Sequence, residues 1–324
     1  MTIEEIKDKL STLLGQPYTV QVYFVLKQDE NLILRLADIE DEKTEPEVDK
    51  LFLEYMTDTV LNNNDLQVCE LSTADERTNA IFHYDYTEYP EELEVFQSFD
   101  IKQATKEVEK FNFEQDNLGR LCGYIIYIGS MEDGVSLFKK HYPISLIKRD
   151  SFLLGAIKSK QRFELVTGDD IIRLNGAVQL FRINGEIFVI DIKVLERNMG
   201  FNQLIYKAAD ETVQAIEELA IIEDIQVLRD SAEDIAFARK LSRVKKSSPI
   251  FKLNISKETI IEFTKTTHDL SGRFKYSEDG NEIRLDTKKS KDAFITLMND
   301  AFLRSELTKQ FYEAKAKDNI TQNN

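Results

Sequence analysis

Two stretches of the chain concentrate the side chains that capture phosphate. From Arg239 to Lys291 there are fourteen lysines and arginines against seven acids, a local excess of +7. From Lys139 to Arg162 there are seven (Lys139, Lys140, Lys148, Arg149, Lys158, Lys160, Arg162) against Asp150 alone, an excess of +6. Basic runs of this kind bind the backbone of a polyanion by releasing its counterions, without reading bases. Their positions on elements separate the cations that helix or strand chemistry already explains from those it does not.

Asp279-Gly280 reads as a hairpin turn. If residue 278 pairs with 281, Lys275 stands opposite Arg284 and Arg273 opposite Asp286 on one face, while Phe274, Tyr276, Ile283 and Leu285 fill the other. Two facing cations repel unless an anion lies over them. Lys288, Lys289 and Lys291 open a helix whose macrodipole disfavours cations there by about 0.3–1 kcal/mol each. A phosphate on its free N–H groups would remove that conflict. Arg239, Lys240 and Arg243 sit towards a helix end that prefers cations. Arg243 nevertheless joins Lys245 and Lys246 as candidate DNA contacts.

Other chemistries find weaker footing. Asp191-Ile-Lys193, with Asp169 and Asp170 upstream, has the residue types of a metal-dependent nuclease, in which carboxylates hold Mg²⁺ and a lysine helps activate water. The pattern is short, and Gly168-Asp169-Asp170 also serves as a turn or cap. Asp170, Asp191 and Lys193 are the residues of that alternative. Gly129 to Gly134 has the glycine spacing of a phosphate loop, but Val135 stands where the lysine is required. The histidines His83, His141 and His268 lack any nucleophile context. The expectation is binding rather than catalysis, with no metal and no cofactor.

The elements that must position these groups follow from periodicity. Ile3, Ile6, Leu10 and Leu13 give a helix over 2–14, strands follow at 18–26 and 31–37, and a helix spans 46–61. Strands are expected at 66–71, 79–86 and 121–129, the last apolar on both faces and so central to a sheet. Asn184-Gly185 between two β-rich runs is a type I′ hairpin. Helices follow at 201–220, 231–243 (opened by Ser231 to Asp234), 257–266 (capped by Ser256), 288–302 and 304–317.

The chain carries 42 lysines and arginines against 58 acids, net −16 over 324 residues. Residues 1–130 hold 11 and 28 of these, net −17, leaving the remainder near neutral. This places an acidic N-terminal α+β domain, with a mixed or antiparallel sheet, at 1–130. The C-terminal domain at 131–317 has two β-hairpins and several helices, and a polar tail occupies 318–324. The fold class is α+β. Cys69 and Cys122 form no CxxC pair, the N-terminus lacks the order of a signal peptide, and no apolar run reaches the roughly 18 residues that span a bilayer. A soluble cytoplasmic protein is expected, and any membrane association would come through a partner.

The order of elements from about 140 to 317, and the closing Asp300-Ala-Phe-Leu-Arg-Ser-Glu-Leu307-Thr308-Lys309-Gln-Phe-Tyr312-Glu313-Ala-Lys315-Ala-Lys317, resemble the family of the B component of the Kiwa anti-phage defence system. The closing segment is similar to the family's Leu-Thr…Tyr-Glu…Lys pattern. Where the family often has glycine after Leu-Thr, this chain has Lys309. The resemblance implies a cytosolic defence protein that binds phage DNA without strong sequence preference and assembles with a small multi-spanning membrane partner, the A component. Recruitment to the inner face of the membrane and blocked use of phage DNA would follow, and self-association as a homodimer or higher oligomer is expected. An acidic N-terminal part suits the Lys- and Arg-rich cytoplasmic loops of such a partner. A scaffold with no DNA contact is the remaining alternative.

Overall fold

The computed structural model describes residues 1–39, 44–74, 77–147, 154–157, 162–165, 171–267, 270 and 272–314. They form two compact units: Met1–Val68 with Tyr89–Met199, and Cys69–Glu88 with Gly200–Asn324. Each combines helices and strands, as expected for an α+β chain.

In chain order the first half contains α1 (Ile3–Leu14), β1 (Thr19–Gln28), β2 (Asn31–Leu36), α2 (Thr44–Met56), β3 (Gln67–Glu70), β4 (Ala80–His83), α3 (Glu91–Ser98), α4 (Ile101–Glu107), β5 (Leu121–Gly129) and β6 (Gly134–Lys140). Then come the short strands β7 (Leu146–Ile147), β8 (Leu154–Ile157), β9 (Arg162–Leu165) and β10 (Ile171–Ile172), followed by β11 (Leu180–Ile183), β12 (Glu186–Val189) and α5 (Ile192–Asn198). The rest is α6 (Asn202–Glu218), α7 (Gln226–Ser231), α8 (Ile235–Ser247), α9 (Pro249–Lys252), α10 (Lys257–Thr266), β13 (Lys275–Tyr276), β14 (Ile283–Arg284), α11 (Lys288–Met298), β15 (Phe302–Arg304) and β16 (Phe311–Glu313).

In the first unit six strands lie side by side in the order β2-β1-β5-β6-β11-β12, each pair antiparallel. Helix α1 starts where the sequence indicates, because Thr2 and Glu5 close a capping box: Glu5 N–H donates to Thr2 Oγ1 at 3.3 Å and Thr2 N–H to Glu5 Oε2 at 2.8 Å. The β11–β12 turn has Asn184 at φ 51° and Gly185 at φ 82°, the double left-handed geometry of a type I′ hairpin. The 129–134 glycine spacing is likewise a hairpin turn. Ser130 N–H bonds to Asp133 O at 2.8 Å, Gly129 has φ 151°, and a Cβ on Gly129 would collide with that same carbonyl. The charge change near residue 130 therefore falls between two paired strands of one unit.

Period-two alternation gives this sheet two buried faces. On one, Phe138 meets Phe96 of α3 at 5.6 Å and Tyr23 meets Phe99 at 5.1 Å, both edge-on. Each such aromatic contributes about 1.5–3 kcal/mol by burial. Arg182 of β11 projects to the same face and donates to the carbonyls of Gln97 and Phe99, where α3 ends with orphan acceptors. The segment 88–110, poorly periodic in sequence, thus holds two short helices, α3 and α4. Cys69 and Cys122 form no disulfide among the described residues, and both are half-buried.

In the second unit α6 and α8 pack through Ile205, Ala209, Val213 and Ile216 against a stripe that includes Phe237, Ala238, Leu241 and Val244. The excursion Cys69–Glu88 belongs here: Tyr84 and Tyr86 lie edge-on to Phe201 at 5.9 and 5.1 Å. Helix α8 begins after Asp234, whose carboxylate accepts from Phe237 N–H at 2.9 Å, rather than at Ser231, because α7 already occupies 226–231. The helix expected over 288–302 ends at Met298, and where one is expected over 304–317 the described residues, to 314, hold the hairpin β15–β16, while 315–317 lie outside the described residues. There Phe302 and Phe311 stack at 5.8 Å and Lys309 turns the chain at φ 58°. No helix among the described residues is long and apolar enough to cross a membrane.

Candidate nucleic-acid interface

The hairpin β13–β14 has the register the sequence implies, Lys275 opposite Arg284, with Phe274, Ile283 and Leu285 buried behind it. The expected repulsion is relieved within the chain. Residues 221–223 run beside β14, with Ile283 N–H on Ile221 O at 2.8 Å and Glu223 N–H on Ile283 O at 3.1 Å. This places the Glu223 carboxylate on the Arg284 guanidinium, one of its two bonds measuring 2.8 Å. The contact holds the Glu223 carboxyl below its usual range and pushes Arg284 up. Lys275 pairs with Asp286 at 3.1 Å, and Arg273 pairs with Glu313 at 3.4 Å while lying over the Phe302 ring.

Helix α11 abuts this hairpin. Thr287 caps it, accepting from Ser290 N–H at 3.1 Å while Thr287 N–H donates to Ser290 Oγ at 3.1 Å. The cap satisfies Ser290, and Lys291 N–H bonds to Thr287 O at 3.0 Å, so the N–H groups of Lys288 and Lys289 are the orphan donors of the first turn. A cleft of ≈ 200 Å³ opens in front, lined by Arg273, Lys275, Arg284 and Lys289 with Asp286, Thr287 and Ser290. Lys288 and Lys289 are exposed, and neither meets a carboxylate among the described residues. The structure thus gathers Arg273, Lys275, Arg284 and Lys289 at one cleft, with Lys288 on the same helical turn.

The other candidates lie elsewhere or are engaged. Lys291 donates to Ser231 Oγ at 2.9 Å. Arg243 donates to Ala74 O, Lys245 meets Glu211 at 3.4 Å, and Lys246 pairs with Asp85 and, at 3.6 Å, with Glu70. Burial alone would push the Asp85 carboxyl up. Bonds from Lys246 and Ser72 outweigh it and hold Asp85 below its ordinary value. Much of the basic end of α8 therefore grips the excursion Cys69–Glu88 of its own unit.

In the other basic stretch, Lys139 is 8% exposed and Lys140 pairs with Glu92, so neither is an open surface cation. Lys148, Arg149, Lys158 and Lys160 lie outside the described residues, and Arg162 opens β9. Strand β7 pairs antiparallel with β10, and β8 with β9.

Of the nuclease alternative, Asp169 and Asp170 lie outside the described residues. Asp191 caps α5, accepting from Val194 N–H at 3.2 Å, and Lys193 lies in the first turn of that helix. Among the described residues no three of His, Cys, Asp or Glu gather as metal ligands. The partners of the basic residues were not foreseen. Glu223, 61 positions from Arg284, carries no sequence signal of its contact, whereas Thr287-Lys-Lys-Ser290 has cap spacing.

A family model described as Kiwa protein KwaB-like matches residues 118–308 of this chain. Kiwa protein KwaB of Escherichia coli O55:H7 (strain RM12579 / EPEC) is 29% identical to it over 321 residues, covering 99% of each chain. No solved structure matches.

Proposed function

The chain belongs to the Kiwa protein KwaB-like family, a family of anti-phage defence, and from that premise we propose that it acts by holding DNA through its phosphates. The observation that carries this reading is the cleft before α11, where four cations converge on a helix N-terminus and no carboxylate answers Lys288 or Lys289 among the described residues. Helix N–H groups and lysine side chains together suit a phosphate oxygen. The pairs Lys275–Asp286, Arg273–Glu313 and Arg284–Glu223 are exposed, and exposed pairs contribute only about 0–1 kcal/mol. Exchanging their carboxylates for phosphates is therefore inexpensive. Contacts of this kind read no bases, so binding is largely indifferent to sequence.

In this reading the protein works by binding, without a catalytic step. The acidic N-terminal part meets the basic loops of the multi-spanning A component, which brings bound phage DNA to the membrane and blocks its use, and the protein self-associates. The test is a mobility shift with linear duplex DNA. Lys288→Glu/Lys289→Glu, and the same pair with Lys275→Glu and Arg284→Glu, should lose retention while circular dichroism stays unchanged. Unchanged retention by the folded variants would overturn the site.

A further inference from the structure

A second cationic site lies in the first unit, on the sheet face opposite α3. In the antiparallel pair β5–β6, Tyr124 stands directly across from Lys139, and His141 N–H continues the ladder onto Cys122 O at 2.9 Å. Alternation sends Tyr124, Lys139 and His141 to one face and Lys140 to the other, where Glu92 of α3 neutralises it. Lys139 meets no carboxylate among the described residues. The residue is 8% exposed, and its ammonium donates to Asn175 Oδ1 at 2.5 Å and Ala177 O at 2.7 Å, both neutral acceptors, which leaves one N–H and the charge unanswered among the described residues.

The groups around it form a pocket of ≈ 110 Å³ rather than a packed core. Tyr124 and His141 join Lys139 on the sheet side, and Tyr142, Ser145 and Arg173 belong to the exposed side, where Arg173 N–H holds Ser145 O at 2.8 Å. Burial drives the Tyr124 phenol far above its ordinary range, so it keeps its proton, and it shares a hydrogen bond of 2.7 Å with His141 Nδ1. In the tautomer where the phenol donates, the imidazole carries its hydrogen on Nε2 and is a second donor. Burial, then Lys140 and Lys139, keep it neutral near pH 7. Arg173 has no carboxylate partner among the described residues. Burial first, and Asp191 second, raise the Tyr142 phenol, and the Asp191 carboxylate also caps α5.

We propose that this pocket binds one phosphate group, held by the free N–H of Lys139, by His141 Nε2–H and by the Arg173 guanidinium. At ≈ 110 Å³ the pocket has room for a single tetrahedral oxyanion. Any ester must leave its organic part outside, past Tyr142 and Arg173. The occupant is inorganic phosphate or the terminal phosphate of a small ester, and binding it supplies the counter-charge the fold omits.

Calorimetric titration of the full chain with inorganic phosphate, at ionic strength fixed with sodium chloride, tests this, with adenosine 5′-monophosphate as a second arm. The wild type should bind an equivalent that survives in Lys288→Gln/Lys289→Gln, a change that removes only phosphate taken up at α11. Arg173→Gln, an exposed change that leaves the core intact, should weaken binding by a factor of about five or more, the loss of one charge-assisted bond, and Lys139→Met should abolish it. Phosphate bound with the monophosphate rejected identifies the free anion, and comparable binding of both identifies an ester. Absence of binding above chloride, full retention by Arg173→Gln and Lys139→Met, or loss only in Lys288→Gln/Lys289→Gln would overturn the site.

Discussion

The salt dependence of DNA binding can be worked from the α11 cleft. Each phosphate neutralised by a lysine or arginine lowers log K by about 0.9 per decade of salt on duplex DNA. Arg273, Lys275, Arg284, Lys289 and Lys288 set an upper bound of roughly −4.5 on the slope, about a 500-fold loss between 50 and 200 mM salt. Three of these five already face carboxylates, whereas Lys288 and Lys289 do not. Lys288→Gln/Lys289→Gln should therefore remove nearly its full share, about 1.8, and flatten the same interval to roughly 40-fold. Glu223→Gln, which frees Arg284, should strengthen binding and steepen the slope. Removing two cations from the first turn of α11 also relieves about 0.3–1 kcal/mol each of dipole conflict, so the double variant should melt at or above the wild-type temperature. Fluorescence anisotropy with a labelled duplex across a salt series measures the slope, and differential scanning fluorimetry the stability. A folded double variant with the wild-type slope would refute the reasoning.

Two further outcomes follow from backbone strain and buried charge. Burial pushes Lys139 down from 10.5 to about 8, so the folded state binds fewer protons than the unfolded one between those values and stability rises with pH there. Urea titrations at pH 7.5 and 9.5 should show the wild type gaining up to about 2 kcal/mol on Lys139→Met, at about 1.4 kcal/mol per pH unit above pH 8, and a constant difference would exclude it. Lys309 occupies φ 58°, so Lys309→Gly should be nearly neutral, relief of strain offsetting backbone entropy, whereas Lys309→Val should melt earlier by more than about 1 kcal/mol. Equal stability of the two variants would argue against that turn.

Local chemistry made much of the fold legible where one signal dominated. Thr2 with Glu5, Asn184-Gly185, and Ser256 before α10 each fix an end or a turn through backbone hydrogen bonds that neighbouring residues alone determine. The short helices were not legible: α3 and α4 each bury only two side chains, Leu93 with Phe96 and Ile101 with Ala104, too few to establish a period. At 304–317 local propensity points to a helix, but the stacking of Phe302 on Phe311 fixes a hairpin, a contact that depends on tertiary closure. The assignment of Cys69–Glu88 to the second unit depends on the grip of Arg243 and Lys246, long-range contacts that leave no local pattern.

For the candidate site, charge counting pointed to a region but overstated how many of its cations are open. The +7 between Arg239 and Lys291 is met by acids from outside that window: Asp85 and Glu70 on Lys246, Glu211 on Lys245, Glu223 on Arg284, Asp292 on Lys240 and Glu313 on Arg273. A window sum cannot register these partners, because they arrive through tertiary structure, Asp85 from 161 positions away and Glu70 from farther still. The local rules did better. The macrodipole argument selected Lys288, Lys289 and Lys291 with no knowledge of their surroundings; Lys291 donates to Ser231 Oγ, whereas Lys288 and Lys289 are exposed and meet no carboxylate among the described residues. Strand alternation at Lys139 and Lys140 has the same power: adjacent lysines must go to opposite faces, so one acid cannot readily serve both, and Glu92 serves Lys140. Where a cation violates a local preference and no carboxylate among the described residues answers it, solvent or a bound anion supplies the counter-charge, and both proposed sites rest on the second.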